Sequence, residues 1–471
     1  VSARRAIALV VLLGGLAAVV VLGRGVPASV TAVFADLPPP ATPFAPAGQG
    51  VSTTFFCPGV PASGDGLEGE LVLLNTADTA ASASVTLLST DQDPVVTEVE
   101  VPPGERTVVD VDDAVAAPYV SAVVEAFSGR LVVDQRAIHP AGAAVAPCAN
   151  ATSSTWYFAD GFTVDGSTME LVLTNPFPDP TVVDISFVSR SGPRAPQAFQ
   201  GYVLPGRSVV VLPFGTTVAR DEPVLAVSIE ATSGRFVAGR AQHYLGGGRL
   251  GTSMTLGAPS LDDQWWFADG ETGEGIVEEY VVYNPTDEDV TADVVFLGVT
   301  DGTVIEPVSL NVPAGEVAVL DASGLGTLPD GRHGAVVSTL STDSIVVERV
   351  MTRPAGDSVA TSVVLGSQYV SSVWFVPVGV PFALEQSLQV LNATALDGVV
   401  TVSAIEPAGP APLPGLTDLP LAPSGILTID LPEEAVDRPL VVTSDVQVVL
   451  ERLLPRAEEL RGRSVSLAVP E

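Results

Sequence analysis

The chain contains no lysine: its 21 cations are all arginines, set against 55 carboxylates for a formal net charge of −34. A phosphate-binding surface needs clustered Lys and Arg, so this balance argues against nucleic acid as a partner. It argues equally against broad adhesion to anionic lipid. Two cysteines and three histidines are too few for zinc-finger, iron–sulfur or multi-histidine centres, and nothing in the composition calls for a cofactor. Charged residues make up only 16 % of the chain, against about 25 % in an ordinary soluble domain. Helix is also scarce, since no window beyond the N-terminus keeps a helical period over three turns. The 44 glycines and 40 prolines describe a loop-rich chain, short of collagen-like or disordered composition.

One long apolar run is present. Arg4 and Arg5 precede the uncharged stretch Ala6 to Gly23, which Arg24 closes. Its length sits at the lower edge of a membrane-spanning helix and above a usual signal-peptide core. With arginines before it and an acidic remainder after it, residues 1–24 are expected to be a membrane anchor or a cleaved signal segment. Either exports the remainder, giving a single-pass membrane protein with its C-terminal part outside, or a secreted one. Residues 25–50 follow as a linker; Asp36 to Gly50 holds five prolines and is expected to be an extended spacer.

Beyond the linker the same unit recurs four times, about 105 residues each. Its first marker is an aromatic opening, led by Phe55, Trp156, Trp265 and Trp374 at intervals of 101, 109 and 109 residues. Its second is an apolar run ending in Asn75, Asn175, Asn284 and Asn392. A Pro/Gly corner follows, at Pro103-Gly104, Pro205-Gly206, Pro313-Ala314-Gly315 and Pro423-Ser424-Gly425. The last marker is a strand-borne arginine: Arg136, Arg240, Arg349 and Arg452. The phases set repeats at 51–150, 151–260, 261–369 and 370–471. Within each, six or seven Val/Ile/Phe-rich segments separated by Asn-Pro, Pro-Gly and Ser-Gly punctuation read as short strands. Ser128-Gly129-Arg130 and Ser233-Gly234-Arg235 read as hairpin turns between two of them. The expected fold is all-β: four tandem immunoglobulin-like β-sandwiches.

Export permits a disulfide, and Cys57 and Cys148 both fall at strand positions of the first repeat, Cys148 following Pro147 as Ser260 follows Pro259. A bond there would staple the first and last strands; two separate buried thiols are the alternative.

Each motif that looks chemical has a bland counterpart in the repeat. Gly356-Asp357-Ser358 resembles an esterase nucleophile block, but aligns with Gly251-Thr252-Ser253 and Gly462-Arg463-Ser464, all opening a final strand. His139 and His243 each lie three residues after a marker arginine, where later repeats have Thr352 and Pro455; a position so variable reads as structural or surface. His333 sits in the turn-like Gly331-Arg332-His333-Gly334. Acidic groups such as Asp287-Glu288-Asp289 complete no calcium loop. The tryptophans read as core rather than sugar platforms, Asp160-Gly161 and Asp269-Gly270 as turns, and the marker arginines as partners of carboxylates on neighbouring strands. Asn150-Ala151-Thr152 and Asn392-Ala393-Thr394 match the short glycosylation pattern. No residue is assigned a catalytic, cofactor or metal role.

The succession W-[YW]-F-A-D-G, L-V-L-x-N-P, Pro-Gly corner, Ser-Gly-Arg and arginine-ended strand resembles a family of uncharacterised actinobacterial exported proteins, over residues 51–471. The likeness is clearest in the second and third repeats. The first departs with Phe55, and the fourth lacks the Asp-Gly and has Asn392-Ala393. The resemblance implies a Gram-positive envelope location and no activity. Four similar units without a unique acid–base or nucleophile cluster point to a non-catalytic surface protein, bound to the membrane by its N-terminal helix and binding or scaffolding an envelope glycan or another envelope protein. The alternative is a polysaccharide-processing enzyme of the envelope or its accessory subunit.

Overall fold

A computed structural model describes Pro40 to Glu471 apart from residues 41, 47–51, 65, 128–129, 141, 217, 300–302, 343, 378–385, 437 and 456–462. The expected anchor and most of the linker lie outside the described residues. Among those described, no helix is long and apolar enough to cross a membrane.

The protein is nearly all antiparallel strand, and its sheets pair as sandwiches. Residues 53–147 supply eight strands: β1 (Thr53–Ala62), β2 (Glu68–Asn75), β3 (Ala81–Leu88), β4 (Val95–Val101), β5 (Arg106–Asp110), β6 (Ala117–Ala126), β7 (Leu131–His139) and β8 (Gly142–Pro147). One sheet has the order β1-β6-β3-β4 and the other β5-β2-β7-β8. The same two orders recur over 155–256, where a short strand joins the outer sheet, and over 264–365. Over 371–470 the counterparts of β6 and β7 are one continuous strand, Leu440–Pro455, which merges both sheets into one.

The two sheets differ in sequence because they differ in what covers them. The outer sheet has one wet face, so its strands alternate: Val183, Ile185 and Phe187 are buried while Val182, Asp184 and Ser186 are partly exposed. The inner sheet carries the runs Leu71–Leu74 and Tyr280–Tyr283, every residue of which is buried. A continuous apolar strand is covered on both faces. Here the second cover is the neighbouring repeats. β8 packs against Arg249–Leu256, that strand against Ser358–Leu365, that against Arg463–Leu467, and the last returns to β8. The four strands close a ring, with Val145, Leu256, Val363 and Leu467 around an axial cavity of only about 40 Å³.

The asparagine markers tie each apolar strand to its Pro/Gly corner. Asn75 Nδ2 donates to the carbonyls of Thr79 (2.8 Å) and Val101 (3.0 Å), while its Oδ1 accepts the amide of Ala77 at 3.0 Å. Asn175, Asn284 and Asn392 repeat these bonds to the residue four ahead, the corner and the residue two ahead. All four are fully buried, so Asn392 is no glycan acceptor. Trp156, Trp265 and Trp374 are buried to the last atom, their indole N–H groups donating to the carbonyls of Phe236, Ile345 and Val448. Phe55 takes the corresponding core place.

Three expectations need correction here. The Ser-Gly-Arg segment is not a hairpin turn: Ala226–Ser233 and Val237–Gly246, which Ser233-Gly234-Arg235 joins, lie in different sheets. It is a crossover, and Gly234 takes φ +86° with Thr181 Oγ1 occupying the space a Cβ would need. Gly356-Asp357 is the two-residue loop of a hairpin in which Ala355 pairs with Ser358; its counterpart is Gly247-Gly248, between Gly246 and Arg249, and not Gly251-Thr252-Ser253. Finally, Thr42–Pro46 is packed rather than a free spacer. Thr42 Oγ1 accepts the Gln368 amide (2.9 Å), Ala45 donates to Pro470 O (2.7 Å), and Phe44 exchanges two bonds with the Asn150 side chain (2.7 and 2.9 Å). Asn150 is thereby occupied as a fastener, and Pro43 caps the axial cavity.

Cys57 and Cys148 form a disulfide between the two sheets of the first sandwich. The bridge Phe56↔Ala149 matches Tyr157↔Ala258 and Trp266↔Ser367, so Cys148 corresponds to Gly257 and Gly366 rather than to Ser260. Those repeats fill the place of the disulfide with a ring: a Cβ on Gly257 would stand 2.7 Å from Phe158, and one on Gly366 2.7 Å from Phe267. Val376 and Ala468 hold the fourth. Replacing both cysteines by alanine is expected to cost about 4–5 kcal/mol, because the bond closes a loop with sequence separation 91. Gly257→Ala, which overpacks, should cost about 1–3 kcal/mol. Denaturant titration of each variant checks both values.

Candidate functional site

The chemistry of the chain is concentrated where repeats meet, and strand register decides which side chains arrive there. Arg240 pairs across the sheet with Leu171, Arg349 with Tyr280 and Arg452 with Leu388, each four residues before the marker asparagine. In the first repeat that place, opposite Leu71, belongs to Gln135. Arg136 is one residue out of register, faces the other way and pairs with Glu70. Four residues therefore share the seam position: Gln135, Arg240, Arg349 and Arg452. The residues just before them are Asp134, Gly239, Glu348 and Glu451.

These two columns interlock around the ring. Arg240 grips Glu348 of the next repeat with two parallel bonds of 2.8 and 2.9 Å, the fork geometry that only arginine offers. Arg349 reaches Glu451 at 2.8 Å, and Arg452 reaches Asp134 at 2.8 Å, closing the last repeat on the first. Each arginine of the middle repeats also lies over its own ring, Arg240 5.5 Å from Phe158 and Arg349 5.7 Å from Phe267. All six ion-pair partners are fully buried. At the fourth junction both columns are neutral: Gln135 faces the Gly239 side. A side chain at 239 has no room there, since Pro58 Cγ lies 2.7 Å from where its Cβ would be.

Asp160 and Asp269, expected in turns, belong to this buried network. Asp269 lies within the strand Gln264–Thr272 and meets Arg353 at 2.9 Å, Arg332 at 3.0 Å and Arg349 at 3.7 Å. Burial alone would push its carboxyl up, but the three arginines outweigh it and hold the pKa at about 2. Among the described residues Asp160 has Arg249, at 3.7 Å, as its one ion-pair partner, and burial pushes its pKa up against Arg249 and Arg240. His333 is not in a turn either: it lies within Gly331–Thr339, buried, with Nε2 2.9 Å from Glu278 Oε2.

The neutral junction holds the largest of the described clefts, about 370 Å³, between the first and second repeats. Ala137 and His139 of β7 and Ala241 and His243 of the opposing strand line it, together with Tyr119, Glu170, Ser253 and Met254. The two imidazole rings meet edge to face, 4.6 Å between centroids. They are not one position seen twice, because the register offset of β7 places Ile138, not His139, where His243 stands. That offset is what turns His139 toward the next repeat. Tyr119 donates to Glu170 Oε2 at 2.7 Å; burial and that carboxylate push its pKa up, so it remains a donor. Smaller clefts lie at other junctions, about 240 Å³ beside Arg130 and Glu406 and about 300 Å³ beside Arg190 and Glu316.

Residues 131–247 match a family of unknown function, DUF5719. The matched span runs from β7 through the strand bearing Arg240 and His243, and so covers both histidines of the cleft. No curated protein matches the chain. Among solved structures, the Thermotoga maritima 1070 protein is similar at 14 % identity over 23 % of this chain and 95 % of its own, with a TM-score of 0.21. A tetra-tandem repeat from the extending region of a large adhesion protein is similar at 13 % identity over 84 % and 94 %, with a TM-score of 0.12. Neither score carries an argument.

Removing one partner of a seam pair leaves the other charge buried and alone. Glu451→Gln should therefore cost about 3–5 kcal/mol, read by denaturant titration, whereas a surface pair would cost under about 1 kcal/mol. Asp269 supplies a pH test. Its pKa is lowered on folding, so its contribution is present above the unfolded value of 3.8 and lost as pH falls toward about 2. Stability should fall by about 2 kcal/mol across that window, and Asp269→Asn should flatten that part of the profile.

Proposed function

We propose that the protein is an exported, non-catalytic component of an actinobacterial cell envelope, anchored by its N-terminal segment, that acts as a rigid binding or scaffolding body. The observation that carries this reading is the use made of the buried charge. Arg240, Glu348, Arg349, Glu451, Arg452 and Asp134 are each engaged in joining one repeat to the next, which favours rigidity between repeats over turnover within one. Pairing of this kind sets the junction clefts at fixed separations. A neutral envelope glycan suits the largest of them, where Tyr119 offers an aromatic face beside Glu170, Thr168 and Ser253. The acidic surface would keep the body off anionic lipid while leaving neutral sugar free to approach.

The full chain, incubated with purified cell-wall material, is expected to be retained without releasing soluble sugar. Tyr119→Ala should weaken retention about tenfold, the loss of one aromatic contact worth about 1.4 kcal/mol, with its melting curve measured alongside. Release of sugar that one carboxylate or histidine substitution abolishes would replace this reading by the polysaccharide-processing one.

A further inference from the structure

Of the chain's three histidines, His333 is buried against Glu278. The other two converge from separate repeats on the one junction whose seam columns are neutral. Along that seam the opposing residues succeed one another in steps of two. Gln135 stands toward Gly239 with Pro58 between them, then Ala137 and Ala241 line one cleft, and then His139 and His243 touch. The other three junctions each have an arginine–carboxylate pair at the first of these steps. Here the first step has no charge, and the third has two imidazoles.

We propose that His139 and His243 form a two-imidazole site for a divalent transition-metal ion of the copper or nickel class, and that the bound ion clamps the first repeat to the second. Imidazole nitrogen is a ligand these ions favour, and neither a phosphate surface nor a hard-cation oxygen cage is needed. For a given nitrogen site the affinity of divalent ions rises through nickel to copper and falls again at zinc. The rings now meet edge to face at 71°, so binding turns their nitrogens toward a common point in the cleft. Among the described residues no three His, Cys, Asp or Glu side chains gather. The cleft of about 370 Å³ has room for water at the ion's remaining positions. Both cysteines are locked in the disulfide, so no thiol competes for the metal.

The inference stands apart from the envelope role, since it is read from metal binding without any wall material. The untagged full chain is titrated with CuCl₂, NiCl₂, ZnCl₂ and MgCl₂, and melting temperature, stoichiometry and the Cu²⁺ electron paramagnetic resonance spectrum are recorded. One Cu²⁺ or Ni²⁺ per chain should bind and raise the melting temperature, with nitrogen couplings from two imidazoles in the copper spectrum. Mg²⁺ should have no such effect, and Zn²⁺ a weaker one. His139→Ala and His243→Ala should each weaken copper binding more than tenfold while keeping the metal-free melting temperature near that of the parent. Where either alanine variant melts early, His139→Phe and His243→Phe, which retain an aromatic ring in the seam, take their place. Copper bound by oxygen alone, or bound equally by parent and single variants, overturns the proposal, as does the absence of binding.

Discussion

The structure depends on a guanidinium of one repeat meeting a carboxylate of the next inside the protein. Buried ion pairs are weak sources of stability, because two charges must leave water before they attract. What such a pair supplies is geometry. The two-pronged contact of Arg240 with Glu348 is planar and directional, so it tolerates one angle between its repeats where an apolar contact would tolerate many. Lysine, a point charge on a flexible stem, fixes no such angle, and the chain has none. The rings of Phe158 and Phe267 below the guanidinium groups set the same direction from within each sandwich. The buried arginines Arg240, Arg249, Arg349, Arg353 and Arg452 are matched by the buried carboxylates Asp134, Asp160, Asp269, Glu348 and Glu451, so the seams carry little net charge and the acidic excess lies outside them.

Much of this could be read in the chain, because it follows from local rules. The strand segments, the paired sheets and the disulfide of Cys57 with Cys148 follow from alternation, turn chemistry and phase. The marker asparagines stood out since a buried Asx corner needs that side chain in every copy. What the sequence hid was register. A single residue of offset in β7 moves every side chain to the opposite face, and it makes Gln135, not Arg136, the counterpart of Arg240. Spacing from the arginine therefore paired the wrong histidines, and the acidic column, Asp134, Glu348 and Glu451, went unnoticed beside it. A search for an acid immediately before the marker arginine would have found Glu348 and Glu451.

The buried acids misled for a different reason. Asp160-Gly161 and Asp269-Gly270 have the composition of turns, and local propensity is the only guide when the partners are distant. Arg353 lies 84 residues from Asp269 in sequence, and no pattern within a segment reveals it. The proline-rich stretch before the first repeat is similar. Proline content predicts a segment outside helix and sheet, and Thr42–Pro46 is in neither; composition is silent on whether that segment has neighbours, and here it finds Gln368, Asn150 and Pro470.

Closure of the ring by Arg452 and Asp134 joins residues 318 apart in sequence, and this sets an order on how the protein comes to exist. The first repeat emerges with Asp134 unpartnered and with the inner face of Leu74 and Val132 uncovered; its cover, Phe375 and Val469, is synthesised last. Such non-local closure is slow, because the whole intervening chain must be made and folded before the contact rewards it. The only repeat that has to wait through all of that is also the only one with a covalent bond between its sheets. The staple gives the first sandwich a means of outlasting the synthesis of its own neighbours.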